Sequence, residues 1–289
     1  MIIREALAAA CAELAAAGID TPSLDAALLL AKVLKNSRTT LAARSGEPLS
    51  QKNTEEFSAL VERRKKGECA AYILGKKEFR GLEFLVNPSV LVPRPDTETL
   101  VEAAITVIKE QTESSDMSSA NGICVLDLCT GSGAVAIALK NEMPYLEVCA
   151  ADISAEALEI ANENSRRLFG ENQISFYQSD LYDNLPHSSF NLIVSNPPYI
   201  PTDEIKTLSA EVQNEPRLAL DGGKTGLEII SRIIRGSHAF LRRGGSLLLE
   251  ADPRQMEKIA LLLAENGYYD IKLYKDLSWQ NRVIGGTYE

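Results

Sequence analysis

Long hydrophobic runs are missing from this sequence. Its longest apolar stretches, such as 246–249 and 259–264, are too short to span a bilayer, and its first residues lack the charged and apolar pattern of a signal peptide. The five cysteines form no C-x-x-C pair and are odd in number, which argues against both a zinc site and a disulfide framework. We therefore expect a cytoplasmic protein without a bound metal ion.

Basic residues are in the minority. The chain has 30 lysines and arginines against 40 aspartates and glutamates, which gives a net charge of −10. Because a protein that neutralises nucleic-acid phosphates usually has the opposite balance, we expect no direct binding to nucleic acid, although an acidic enzyme can still meet a basic protein. The length of 289 residues and the hydrophobic content of 45% suit one large globular domain and one smaller one.

The first part of the chain predicts a small helical domain. It is rich in Ala and Leu at helical spacing, and helix starts are marked by Thr21-Pro22 and by Ser50. The basic run 63–66 is interpreted as the end of a helix, where cations offset the macrodipole, with an anion-binding patch as the alternative. Because this stretch carries no catalytic constellation, we expect a docking domain over 1–74.

The rest of the chain predicts a β-hairpin linker over 75–92 and an α/β domain over 93–289. A helix to about residue 109 and a polar, solvated loop over 110–122 open this domain, and strands then alternate with helices. Predicted strands are 123–128, 147–152, 174–180, 190–196, 245–251, 268–276 and 281–288; predicted helices are 134–141, 154–169, 227–241 and 253–266. This order predicts a doubly wound, mostly parallel, seven-stranded Rossmann-like sheet whose last two strands pair antiparallel.

One predicted strand ends in the motif Asn196-Pro197-Pro198-Tyr199. A β-branched run that stops at a double proline indicates a buried parallel strand, and ligands bind beyond the carboxyl ends of such strands. The side-chain oxygen of Asn196 and the carbonyl of Pro197 can each accept a hydrogen from a planar –NH2 group, against which Tyr199 can lie flat. The alternative is that Asn-Pro-Pro only ends the strand.

A glycine loop follows the first predicted strand of the sheet. Residues 131–136 satisfy the fingerprint G-x-G-x-x-A, and Asp152 lies about twenty residues later, where it suits a ribose diol. This pattern serves NAD, FAD or S-adenosyl-L-methionine alike. Asp127 favours the last, because its charge would repel a pyrophosphate and suits a cationic ligand, and Asp180 is placed to accept from an adenine amino group. For each acid the alternative is capping of a loop.

Four segments resemble the motifs of class I S-adenosylmethionine-dependent methyltransferases that act on planar amines or amides. They are 126–133, 151–152, 178–180 and 196–199. More narrowly, the helical first part and the segments 77–80, 93–98, 215–217 and 248–250 resemble the peptide chain release factor glutamine N5-methyltransferases. This resemblance covers essentially the whole chain. Cys129 stands where many members of the family have glycine, a small change that should leave cofactor binding intact.

The resemblance implies methyl transfer from S-adenosyl-L-methionine to the side-chain amide nitrogen of the glutamine in the Gly-Gly-Gln motif of release factors, with S-adenosyl-L-homocysteine as product. The implied catalytic residues are Asn196, Pro197 and Tyr199, and Pro198 joins them in binding substrate. The implied cofactor residues are Asp127, Cys129, Thr130, Gly131, Ser132, Gly133, Asp152, Asp180, Leu181 and Asn196. An amide nitrogen needs orientation more than a strong base, so we interpret His187 and His238 as structural.

Two other functions fit parts of the pattern. An amino methyltransferase acting on adenine or guanine in DNA or RNA would use the same Asn-Pro-Pro-Tyr motif, but the acidic balance and the lack of a base-reading domain argue against it. An NAD-dependent oxidoreductase would use the same glycine loop, but Asp127 and the lack of a second catalytic half argue against it.

Overall fold

The computed structural model describes residues 1–114, 122–186 and 189–289. The chain forms two compact units, the first comprising 1–76 and 209–214, the second 77–208 and 215–289. Most of the solvated loop expected over 110–122 lies outside the described residues, as does His187. The part of that loop from 110 to 114 is helical, so the preceding helix is longer than predicted.

The first unit is helical, as predicted. Its helices are α1 Ile3–Ala16, α2 Pro22–Leu34, α3 Arg38–Ala43, α4 Gln51–Lys65, α5 Ala70–Leu74 and, from the later segment, the single turn Ala210–Gln213. Pro22 opens α2, and the Ser50 hydroxyl accepts from the Asn53 backbone N–H at 3.2 Å to cap α4. Apolar side chains from α1, α2 and α4, among them Leu14, Leu29 and Phe57, form the core of this unit.

Arg64, in the last turn of α4, is buried with two acidic partners. Its Nε donates to Asp25 of α2 at 2.7 Å, and both side chains are about 5% exposed or less. Its Nη2 donates to Glu211 of the segment 209–214 at 2.8 Å. The basic run 63–66 therefore ends the helix, as interpreted from the sequence, and one of its members also joins three parts of the first unit through buried charge.

A β-hairpin of β1 Lys76–Phe79 and β2 Leu82–Leu85 lies at the start of the second unit, which takes all of it but Lys76. Its turn residues Arg80 and Gly81 both have positive φ, the conformation that suits a two-residue hairpin turn. Phe79 and Phe84 pack edge to face and lie in the core of this unit.

A seven-stranded sheet forms the centre of the second unit and confirms the predicted fold. Its strands are β3 Cys124–Leu128, β4 Glu147–Asp152, β5 Ser175–Gln178, β6 Phe190–Ser195, β7 Leu241–Glu250, β8 Tyr268–Lys275 and β9 Asn281–Tyr288, in the order β5-β4-β3-β6-β7-β9-β8. The first five pair in parallel, and β9 pairs antiparallel with both β7 and β8. The strand order reverses between β3 and β6, where a ligand crevice is expected.

Helices cover both faces of this sheet. They are α6 Glu98–Ser114, α7 Ala134–Glu142, α8 Ala155–Phe169, α9 Glu228–Ser237 and α10 Met256–Glu265. Along β6, Leu192 and Val194 belong to the core that includes α6 and α7, whereas Ile193 belongs to the core that includes α9 and α10. This alternation explains why β6 reads as a continuous apolar run. Over the described ranges, no helix has the length and apolarity needed to cross a membrane.

Three predicted boundaries in this unit were wrong. The helix predicted over 227–241 ends at Ser237, and the strand predicted from 245 begins at Leu241. The cause is pairing with a distant residue, because Phe190 pairs with Leu241 and its N–H donates to the Phe240 carbonyl at 2.7 Å. The strand predicted over 174–180 ends at Gln178, so Asp180 lies in the turn that follows it.

Candidate active site

A cavity of about 310 Å³ opens at the carboxyl ends of β3, β4 and β6 in the second unit. Most of the residues proposed from the sequence line it, namely Asp127, Cys129, Thr130, Gly131, Ser132, Asp152, Asp180, Leu181, Asn196 and Pro198. They come together because the ends of adjacent parallel strands meet at one edge of a sheet. Gly133 lies behind the loop, where a Cβ would come within 3.2 Å of Ala161 on α8.

Asp127, near the end of β3, holds the glycine loop to the start of α7. Its Oδ2 accepts from the Thr130 hydroxyl at 2.6 Å and from the Ala136 backbone N–H at 3.1 Å. Burial raises the pKa of this carboxyl to about 7, although both hydrogen bonds act in the opposite direction. The capping that was weighed as an alternative is therefore present, and the same side chain also lines the cavity.

Asp152, the last residue of β4, fixes the other side of the glycine loop. Its Oδ2 accepts from the Gly131 N–H at 2.9 Å, and its Oδ1 accepts from the Ser154 N–H at 3.0 Å. Burial raises the pKa of Asp152, and these backbone donors lower it. Gly131 has a φ of 55°, so the loop turns its backbone toward the carboxylate.

Asp180 and Leu181 follow β5 on the far side of the cavity. Asp180 pairs with Arg232 of α9 at 2.9 Å, and both side chains are more than 40% exposed. Arg232 also lines the cavity and was not proposed from the sequence. No local pattern around Arg232 indicated this position, because it depends on how α9 packs against the sheet.

The Asn196-Pro197-Pro198-Tyr199 motif leaves the end of β6. The Asn196 Nδ2 donates to the Thr97 hydroxyl at 3.1 Å, and both side chains line the cavity. Pro198 also lines it, whereas Pro197 is buried and the Tyr199 ring packs against the core on the α9 and α10 face. Burial raises the pKa of Tyr199 above its ordinary value.

The backbone of this motif is closely packed at Pro198 and Tyr199. The Tyr199 carbonyl accepts from the Gln255 side chain at 2.9 Å. A Cβ on Gly222 would lie 2.7 Å from the Pro198 carbonyl oxygen, and one on Gly226 would lie 2.3 Å from the Tyr199 oxygen. Only glycine fits at both positions, so the loop after Asn196 is tightly packed.

The proline-rich segment before α6 borders the same cavity. Arg94 lines it and forms an ion pair with Glu215, whose buried carboxylate also accepts from the Val92 N–H at 3.1 Å. Thr97 ends the 3₁₀ helix Pro95–Thr97. The Pro-Arg-Pro-Asp-Thr-Glu motif was thus the available signal for Thr97, although the sequence alone did not distinguish it from its neighbours.

The segment 77–80, which resembled the family, has structural contacts. Phe79 is buried in the core, and Arg80 forms ion pairs with Glu102 and Glu142 at 2.7 and 2.5 Å. Within the described part of the chain, no group of three or more His, Cys, Asp or Glu side chains is arranged to hold a metal ion.

Comparison with known proteins identifies both parts of the chain. Residues 5–75 match the family described as the PrmC N-terminal domain, and residues 114–220 match the methyltransferase small domain. A methyltransferase from Pyrococcus furiosus has a similar structure, with a TM-score of 0.50, 18% identity, and coverage of 73% of this chain and 91% of that chain. At this identity the likeness shows the fold alone.

Sequence relatives extend over nearly the whole chain. A release factor glutamine methyltransferase of Coxiella burnetii is 41% identical, over 91% of this chain and 91% of the relative. Another, of Moorella thermoacetica, is 37% identical over 98% of each. With these matches, the resemblance drawn from the motifs is confirmed. The chain belongs to the family of release factor glutamine methyltransferases.

Proposed function

We propose that this protein transfers a methyl group from S-adenosyl-L-methionine to the side-chain amide nitrogen of the glutamine in the Gly-Gly-Gln motif of peptide chain release factors. The observation that carries the proposal is the position of Asn196, whose amide lines the acid-bordered cavity while its Nδ2 is held by Thr97. The release factor is taken from the names of the relatives. Translation termination would place the reaction in the cytoplasm.

The cavity fits the proposed cofactor by its charges. Asp127, Asp152 and Asp180 border it at or after the ends of three strands, and their carboxylates can accept from a cationic amino acid end, a ribose diol and an adenine amino group. The backbone of the glycine loop would lie against the ligand at Cys129, Thr130, Gly131 and Ser132. Leu181 would contact the adenine. When bound, S-adenosyl-L-methionine supplies an electrophilic methyl on its sulfonium. The charge of Asp127 beside the glycine loop disfavours a pyrophosphate and so disfavours NAD.

The acceptor would be held by Asn196 and its neighbours. An amide nitrogen is a poor nucleophile because its lone pair is delocalised into the carbonyl. The Asn196 Oδ1 and the Pro197 carbonyl would accept the two amide hydrogens, aim the nitrogen at the methyl and stabilise the positive charge that grows on it. Pro198 would bound the substrate pocket, and we propose that Tyr199 supports the motif and contacts the acceptor.

The segments of the chain would have different roles in the reaction. We propose that 1–74 docks the release factor, that 75–92 is a β-hairpin linker and that 93–289 carries out methyl transfer. The net charge of −10 suits a protein acceptor better than nucleic acid, for which the chain would have to approach a polyanion.

The test is a labelled-methyl transfer assay with three acceptors in parallel: a purified release factor, its variant with Ala in place of the Gly-Gly-Gln glutamine, and duplex DNA. We expect label on the first alone. Asn196→Ala should lower kcat by about 100- to 1000-fold, because one charge-stabilising contact is lost, and should lower cofactor affinity far less. Asn266→Ala, outside the cavity, is the matched control and should stay active. Label on DNA but not on the release factor would overturn the substrate assignment.

A further inference from the structure

Glu250 is buried beside the proposed catalytic asparagine. It is the last residue of β7, and Leu249 pairs with Ser195 in the parallel ladder between β6 and β7. Glu250 and Asn196 therefore follow at the same level of neighbouring strands. Glu250 is only 1% exposed, and its Oε2 has no hydrogen-bond partner among the described residues.

Among the described residues, no cation forms an ion pair with this carboxyl. Arg282 on β9 is the nearby base, but it forms ion pairs with Asp96 at 3.1 Å and with Asp276 at 3.2 Å. Burial raises the pKa of Glu250 to about 7, while the nearby Thr97 hydroxyl, the charge of Arg282 and the Asn196 side chain lower it. A buried carboxyl with an unsatisfied oxygen costs stability, and such groups are concentrated at functional sites.

The hydrogen-bonding capacities of Thr97 and Asn196 suggest what Glu250 does. For Asn196 to accept a hydrogen from the substrate amide, its Oδ1 must face the substrate and its Nδ2 must face away. Thr97 receives that Nδ2 at 3.1 Å, but a hydroxyl can donate as well as accept, so Thr97 alone does not fix the amide. A carboxylate can only accept. Next to a carboxylate, the Thr97 hydroxyl donates to it and is left to accept from Asn196.

We propose that Glu250 is a positioning residue, whose carboxylate fixes the direction of the hydrogen bonds through Thr97 and thereby holds Asn196 with its Oδ1 toward the acceptor nitrogen. This inference rests on the proposed function of Asn196. Glu250 itself does not line the cavity, so it acts through the other two side chains.

The protonation state of Glu250 then controls the site. The protonated acid can donate, which would allow Thr97 or Asn196 to reverse its hydrogen bonds. The charged groups facing Glu250 are Arg282 from β9 and Asp96 from the 3₁₀ helix, and the Tyr199 phenol lies near as well. We expect kcat to rise with pH through about 7 in the native enzyme and to lose this step in Glu250→Gln.

The experiment measures kcat, KM and melting temperature for the full chain with a release factor and S-adenosyl-L-methionine. Glu250→Gln and Thr97→Val should each lower kcat by about 10- to 100-fold, because a misplaced acceptor geometry slows the reaction while leaving binding intact. The KM for the release factor and the KM for S-adenosyl-L-methionine should each change by less than about twofold. The kcat of the double variant should be little lower than that of either single variant, because both changes break the same set of contacts. Glu110→Gln, which removes an exposed carboxylate paired with Lys272, is the matched control and should behave as the native enzyme.

A structural role would give a different pattern. If Glu250 only supported the fold, Glu250→Gln would lower the melting temperature and keep kcat per folded molecule, with the pH step intact; that result would overturn the inference. Our inference expects the opposite, a melting temperature that is equal or higher with a lower kcat. Failure of the proposed function is separate, because the native enzyme would then not methylate a release factor at all or Asn196→Ala would remain active.

Discussion

A buried carboxylate in the first unit and one in the second differ in the partners that surround them. In the first unit, Asp25 receives the Arg64 Nε at 2.7 Å and the Thr21 hydroxyl at 3.1 Å. In the second unit, Glu250 is at least as buried, yet one of its oxygens has no partner among the described residues. A satisfied buried pair is typical of a structural contact, and an unsatisfied carboxyl next to a cavity is typical of a working site.

Two other buried acids of the second unit, Asp127 and Asp152, also differ from Asp25, because they accept hydrogen bonds from hydroxyl and backbone groups and not from a cation. Burial raises the pKa of Asp127 to about 7 and raises the pKa of Asp152, and both lie at strand ends that border the cavity. Three acids with raised pKa at one edge of a sheet make this edge less stable than apolar side chains would, and ready to bind a cationic ligand. We therefore expect the buried pair of Asp25 and Arg64 to govern stability, and the acids Asp127, Asp152 and Glu250 to govern activity.

The largest effect is expected from breaking the satisfied pair. Arg64→Ala leaves Asp25 buried without its cation, so the free energy of unfolding of the first unit should fall by about 3 to 5 kcal/mol. The neighbouring variant Arg63→Ala, which removes an exposed pair with Glu68, should cost less than about 1 kcal/mol. Chemical denaturation followed by circular dichroism measures both. Equal losses in the two variants would contradict the comparison.

A smaller effect is expected from titrating the unsatisfied carboxyl. Because the pKa of Glu250 is about 7 in the native state and near 4.5 when unfolded, the native state binds the proton more tightly, and Glu250 makes the protein less stable as pH rises between these values. Glu250→Gln has no such titration. Its stability relative to the native protein should grow by about 1 to 3 kcal/mol from about pH 5 to about pH 8.

The measurement is denaturant unfolding of both proteins at several pH values across that range. The other acids titrate in both proteins, so the difference between them isolates Glu250. A difference that stays constant with pH would show that the Glu250 carboxyl titrates alike in the folded and unfolded states.

The smallest effect is expected at the exposed rim of the cavity. Arg232 and Asp180 pair at 2.9 Å but are 49% and 42% exposed, so solvent screens their attraction. Arg232→Ala should change the free energy of unfolding by less than about 1 kcal/mol. If Asp180 accepts from the adenine, this variant frees it, and cofactor affinity measured by calorimetry should stay the same or rise slightly. A large loss of affinity would instead make Arg232 a direct ligand.

The sequence was sufficient to predict the central part of this site. Asp127, Asp152, Asp180 and Asn196 each lie at or just after the carboxyl end of a strand, and parallel topology places such residues at one edge of the sheet. The mostly parallel direction of the strands followed from the same alternation of strands and helices, whereas the order of the strands in the sheet was not predicted. The features that were predicted are local in sequence and repeated.

Contacts between distant residues could not be predicted in the same way. Thr97 reaches Asn196 across 99 residues, and Arg232 reaches Asp180 across 52. The end of the helix before β7 was predicted too late because Phe190 extends the strand pairing back to Leu241. Glu250 stood in a segment that resembled the family, yet its place beside Asn196 depends on the register of β6 and β7.

The segment 209–214 bears on any attempt to dissect the protein. Although it belongs to the first unit, it is embedded in the chain of the second, so the polypeptide passes between the units at 76–77, 208–209 and 214–215. A fragment that starts at residue 77 would keep Glu211 and Asn214 but lose Arg64 and Gly67, to which they bond. Such a fragment would therefore expose the polar groups of 209–214 that the first unit now binds, and replacing these six residues by a short loop would remove them.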